Sequence, residues 1–291
     1  MSDGERNFSE QEAVAALLEW YSLAGVDAIL TEEPRDRFAE TKDRLRAKAE
    51  AGEAPAAREA QGSPAPTRND APTPARPQVA VPDDVAVASA RDIARSAATM
   101  EALREGLNTF QGCNLRITAK SVVFGDGDPH ADLMLIGEAP GRDEDIAGIP
   151  FVGRSGQLLN RMLAAIGIAR EKVWITNTVP WRPPGNRTPT PAETEICLPF
   201  VARQIELVRP KVIVCLGSPA TKAILRTEEG MLRIRGRWLS YSYGEKPEET
   251  VPAIPMLHPA YLLRQPAQKK LAWRDLLAIR AKLDALSPSG A

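Results

Sequence analysis

Four short apolar runs, ADLMLIG (131–137), KVWITNTV (172–179), KVIVCLG (211–217) and AIPML (253–257), alternate with SGQLLNRMLAAIG, AETEICLPFVARQIELV and SPATKAILR, in which apolar residues recur at helical spacing. Runs this brief, closed by turn residues, read as strands covered on both faces rather than as helices. Strands alternating with helices build a parallel sheet between two helical layers. The expected architecture is α/β: a three-layer αβα arrangement with a short central parallel sheet of about four strands. Ligands of such sheets bind beyond the carboxyl ends of the strands. Those ends are GEAPG, NTVPW, GSPA and HPAYLLR.

The alternation begins near residue 90, and what precedes it has a different character. FSEQEAVAALLEWYSLAGV reads as an amphipathic helix, with Ser9 and Glu12 at capping-box spacing and Val14, Leu17, Leu18 and Tyr21 on one stripe. Residues 51–85 hold seven prolines and nine alanines with almost no large apolar residue, too little to offset ordering entropy. The expected organisation is an acidic helical arm over 1–50, a Pro/Ala-rich disordered linker over 51–85 and a catalytic domain over 86–291. Charge follows the same division. Residues 1–85 carry 10 basic and 17 acidic side chains, net −7, whereas residues 86–291 carry 27 and 21, net +6. A basic domain is compatible with a polyanionic partner, although surplus arginine also accompanies GC-rich genomes.

No run of eighteen apolar residues occurs, and MSDGERNFSE has neither the basic flank nor the apolar stretch of a secretory signal. A cytoplasmic protein with no membrane partner is expected. Three scattered cysteines, Cys113, Cys197 and Cys215, make no disulfide framework.

The segment GEAPGRDEDIAGIPFVG (137–153) delivers a buried strand into a carboxylate, a Pro-Gly bend, an acidic run and an aromatic. It has no GK[ST] and no GxGxxG, which excludes the two common phosphate-binding fingerprints. Asn177 alone reads as a turn cap and His258 alone as a strand terminator. Together with Glu138 and Phe151 they bring an amide, an imidazole, a carboxylate and an aromatic to one sheet edge. That set fits a flat polar ligand such as a nucleobase better than a phosphate.

GEAPGRDEDIAGIPFVGRSGQLLNRML, ITNTVPWRPPGNRTPTPAE and HPAYLLR together resemble the signature segments of the uracil-DNA glycosylase superfamily, in its iron–sulfur (family 4) group. The resemblance runs from about Cys113 to Leu283. It implies a monofunctional DNA glycosylase that flips uracil from single- or double-stranded DNA, hydrolyses its N-glycosidic bond to leave an abasic site, and so initiates base excision repair; a monomer is expected. It implies that Phe151 stacks on the base, Asn177 reads its edge and His258 steadies the departing anion. Glu138 and Glu144 take the acidic positions and Asn186 a further catalytic one. Leu262 or Leu263 would fill the gap left by the base unless both begin a packed helix, and Arg264, Arg154 and Arg187 would hold phosphates. Ala139 stands where the most active relatives carry an Asp that orients water.

Those relatives hold their cluster with four cysteines. Here Cys113 and Cys197 occupy two of the positions, while Arg116 and Trp181 replace the others. Arginine and indole supply no thiolate, so no iron–sulfur cluster and no other cofactor are expected. Two alternatives stay open: a slow-turnover protein of the same fold that binds uracil or abasic DNA, and an α/β domain for another nucleobase or nucleotide.

Overall fold

Each long strand alternates its side chains between two cores, so the sheet is covered on both faces. In the computed structural model, which describes residues 84–244 and 246–286, the first described elements are helices α1 (Asp84–Ser96), α2 (Met100–Thr109) and α3 (Leu115–Thr118). Strands β1 (Asp126–Gly127) and β2 (Leu133–Gly137) lead to α4 (Arg142–Ala147) and α5 (Arg154–Ala165), then to β3 (Trp174–Asn177) and α6 (Pro191–Val208). Strand β4 (Val212–Leu216), α7 (Ser218–Leu225), α8 (Met231–Ile234) and the pair β5 (Leu239–Tyr243) and β6 (Lys246–Met256) precede α9 (Pro259–Arg264) and α10 (Lys269–Leu286).

The sheet order is β1-β3-β2-β4-β6-β5. Its inner four strands are mutually parallel, as the apolar runs predict. The sheet nevertheless has six strands and is mixed, because β1 pairs antiparallel with β3 and β5 antiparallel with β6. Both additions escape a search for apolar runs. β1 is two residues long, and β5, LSYSY, is an edge strand with exposed positions that needs no continuous apolarity.

Met134, Ile136, Ile213 and Cys215 face one core, under α1, α2, α6 and α7. Leu133, Leu135, Val212 and Val214 face the other, against α5, α9 and α10. Helix α6 is set by its first turn. Pro191 occupies N1, the Thr190 hydroxyl accepts from Glu193 N at 3.2 Å, and the Glu193 carboxylate accepts from Thr190 N at 2.7 Å.

Helix α1 buries Ala86, Ala90 and Ala94, a stripe of small residues that lets it lie close on α6. It starts at Asp84, two residues inside the expected linker. The expected arm over 1–50 and the rest of the linker lie outside the described residues. A chain starting at Asp84 is expected to melt cooperatively near the full-length temperature. One starting at Ala97 uncovers α6 and should melt roughly 5 °C lower or more, given about 2–4 °C per kcal/mol for a domain of this size.

Candidate active site

Because the inner strands are parallel, β2, β3, β4 and β6 all end at one edge, and the loops leaving them enclose a cavity of about 670 Å³. Glu138, Phe151, Asn177, Asn186, His258 and Arg264 all line it. Asn177 is the last residue of β3 and pairs with Gly137, the last of β2. A Cβ on Gly137 would collide with Asn177 Oδ1 and come within 2.7 Å of the Phe151 ring, so glycine is what lets amide and ring approach each other.

Phe151 is buried and adopts φ 52°, a left-handed conformation unfavourable for an aromatic residue. Its ring lies 5.6 Å from that of His258, tilted by 31°. His258 caps α9, its Nδ1 accepting from Ala260 N at 3.1 Å. Burial, with a smaller contribution from the Arg264 charge, pushes the imidazole down to about 4. At neutral pH the ring is uncharged, and with Nδ1 an acceptor the proton resides on Nε2. The ring is thus a neutral donor.

The two glutamates differ. Glu138 is half-buried, and burial raises its carboxyl above the usual range against an opposing hydrogen bond from Thr188. Glu144 also touches the cavity, but its carboxylate accepts from Gly141 N at 3.1 Å, Val152 N at 3.1 Å and Gly153 N at 2.9 Å. It holds the loop that carries Phe151. Asn186, at φ 56°, has its Oδ1 occupied by Arg182 Nε at 2.6 Å, which leaves its NH₂ as the available group.

The residues expected at the DNA separate. Leu262 is 1% exposed and packs in the core beneath α9, whereas Leu263 is 37% exposed. Helical spacing sends the two in different directions, so the wedge role cannot fall to Leu262. Arg154 and Arg264 are exposed. Arg187 forms a two-pronged pair with Glu193 at 2.6 and 2.8 Å. Thr188 and Arg170, the latter bound to the backbone at Phe151, are polar residues of the site region that sequence reading passes over. Neither lies in a recognisable spacing with the residue it serves.

The residues at the cluster positions do not fit an iron–sulfur group. Trp181 is fully buried and stacks on Phe110 at 6.4 Å, and its Nε1 is buried without a hydrogen-bond partner. Arg116 turns away to Gln111 Oε1 at 2.8 Å. The Cys113 and Cys197 thiols hydrogen-bond each other. That bond holds Cys113 below the ordinary thiol value, and burial drives Cys197 well above it. Cys215, in β4, is pushed up to about 12 by burial. Among the described residues, no group of three or more His, Cys, Asp or Glu side chains could hold a metal ion. Cys113→Ser combined with Cys197→Ser is expected to leave a folded, colourless protein. Stoichiometric iron bound through chelation would contradict this.

The His258 shift also sets a pH dependence. Between about 4 and the ordinary value of 6.5 the unfolded chain binds the proton and the folded chain does not, so stability rises with pH across that window. Relative to His258→Gln, the wild-type melting temperature should fall as pH drops from about 6.5 towards 4, and the difference should be flat above 7.

The profile of the uracil DNA glycosylase superfamily matches residues 124–277. The type-4 uracil-DNA glycosylase of Archaeoglobus fulgidus is 44% identical over 159 residues, covering 53% of this chain and 78% of the relative. That of Thermotoga maritima is 40% identical over 166 residues, covering 57% and 83%. That of Sulfurisphaera tokodaii is 37% identical over 187 residues, covering 62% and 84%. The superfamily profile spans over half the chain, and these relatives are matched across most of their own length, so the chain belongs to the uracil DNA glycosylase superfamily.

Proposed function

We propose that the chain is a monofunctional glycosylase that removes uracil from single- or double-stranded DNA, leaving an abasic site. What carries this reading is the meeting of a buried amide, an aromatic ring and a neutral imidazole donor in one cavity, at Asn177, Phe151 and His258. A base inside a duplex cannot reach such a cavity, so the nucleotide must be flipped out. Phe151 then supplies a face for stacking, and Asn177, with one acceptor and one donor group, reads an edge that presents both.

Cleavage of the glycosidic bond leaves a uracil anion and a cationic sugar. His258 answers the first. Its Nε2–H can strengthen a hydrogen bond as negative charge develops, and its low basicity at neutral pH makes it a donor that does not first need to be protonated. Glu138 answers the second. Its oxygens are not committed to backbone amides as those of Glu144 are, so it is the carboxylate left to favour the cationic sugar or orient a water. Asn186 offers its NH₂ at the same rim. Of the two leucines of α9, Leu263 is the exposed one and the one that can fill the vacated stack, next to Arg264 at the rim of the cavity; Arg264 and the exposed Arg154 would hold phosphates. Arg187 joins them only by leaving Glu193.

Ala139 lines the cavity where an Asp would orient water. This favours, as a second reading, a protein that binds the damaged site and turns over slowly. An oligonucleotide with one uracil, followed by alkaline cleavage, separates the readings. Multiple-turnover breaks support the glycosylase, a retarded complex with at most one turnover supports the binder, and neither result refutes both. Asn177→Ala and His258→Ala should each lose about 10²–10³ in excision rate, the usual effect of removing one transition-state donor. Rates within a few-fold of wild type for both would refute the site assignment.

A further inference from the structure

The residue that holds Phe151 in place lies outside the cavity. Arg170 opens the short turn that leads into β3, and its guanidinium spans four acceptors. Nη2 donates to Pro150 O at 2.6 Å and Nη1 to Phe151 O at 3.0 Å, while Nη1 also reaches Asn160 Oδ1 at 3.0 Å and Nε reaches Asp126 Oδ2 at 3.0 Å. Two consecutive carbonyls of the loop are therefore tied to one planar, permanently charged group. The next two amides, Val152 N and Gly153 N, are tied to the Glu144 carboxylate. Gly156 completes the seat, because a Cβ there would collide with the Phe151 carbonyl.

This grip has a purpose visible in the backbone. An aromatic residue at φ 52° relaxes to the ordinary right-handed or extended regions unless its neighbours over-determine it. Relaxation would swing the ring away from Gly137 and His258 and remove the face on which a base would stack. We infer that Arg170 is a positioning residue for base stacking, keeping the Phe151 ring in the cavity by holding the carbonyls of Pro150 and Phe151 from behind. The inference rests on the glycosylase reading, since stacking matters only if a flat base enters.

A double-mutant cycle tests it, using excision from an oligonucleotide with a single uracil. Arg170→Met should lower kcat/KM by roughly 10–100-fold, the scale expected when a reacting partner is misplaced by about 1 Å. In a Phe151→Ala background the same change should cost less than about twofold, because the ring it positions is already gone. Arg170→Lys keeps the charge but cannot bridge both carbonyls, and should fall between. It serves as the reading if Arg170→Met fails to fold. Inhibition by free uracil should weaken in step with kcat/KM. An active wild type whose Arg170 variants keep full kcat/KM, or lose the same factor with and without the Phe151 ring, overturns the inference alone and leaves Arg170 a structural tie to β1. A wild type that leaves uracil in place overturns the glycosylase reading and the inference with it.

Discussion

The register that sets Gly137 against Asn177 governs everything at the sheet edge. Parallel pairing brings the ends of β2 and β3 level, and the missing side chain at Gly137 leaves a space that the Asn177 amide enters from one side and the Phe151 ring from the other. Shift the pairing by one residue and the amide turns to the opposite face of the sheet. His258 is placed by the same logic two strands away. Gly217, at the end of β4 with φ 88°, would bring a Cβ to 3.1 Å of the His258 Cβ, so a second glycine opens room for the imidazole. Two glycines at strand ends thus make room in the cavity for the Asn177 amide and the His258 imidazole.

Electrostatics inside that frame follow from what each group is already bound to. Glu144 and Glu138 are six residues apart and chemically identical, but one faces three amide protons and the other a single hydroxyl with burial against it. The first is a fixed acceptor for the backbone; the second keeps oxygens free for a ligand. His258 shows the same dependence on a neighbour, because one amide at Nδ1 decides which nitrogen carries the proton.

The inner strands and the edge at which they end were legible because each is fixed by local pattern, an apolar run and its terminus, whereas Phe151, Asn177 and His258 were singled out by the family segments, and the fold brings all three to one cavity. The edge strands were not, since a two-residue bridge and an alternating LSYSY carry no apolar run. Nor was the choice between Leu262 and Leu263, which depends on the angle at which α9 leaves the sheet, nor the difference between the two glutamates, which is set by backbone amides up to nine residues away. Arg170 is nineteen residues from the carbonyl it grips, and only the folded chain brings them together. The family segments conveyed identity of position, while the partners of each position became readable in three dimensions.

Trp181 closes one further matter. An indole stacked on Phe110, in the same core as the Cys113 and Cys197 thiols, holds its loop by packing. Such a joint is finished as soon as the chain has folded. It asks nothing of the cell's iron supply or of the machinery that assembles and inserts clusters, and peroxide finds no labile iron there to strip. What keeps this loop in place is then the same close packing that holds the rest of the core.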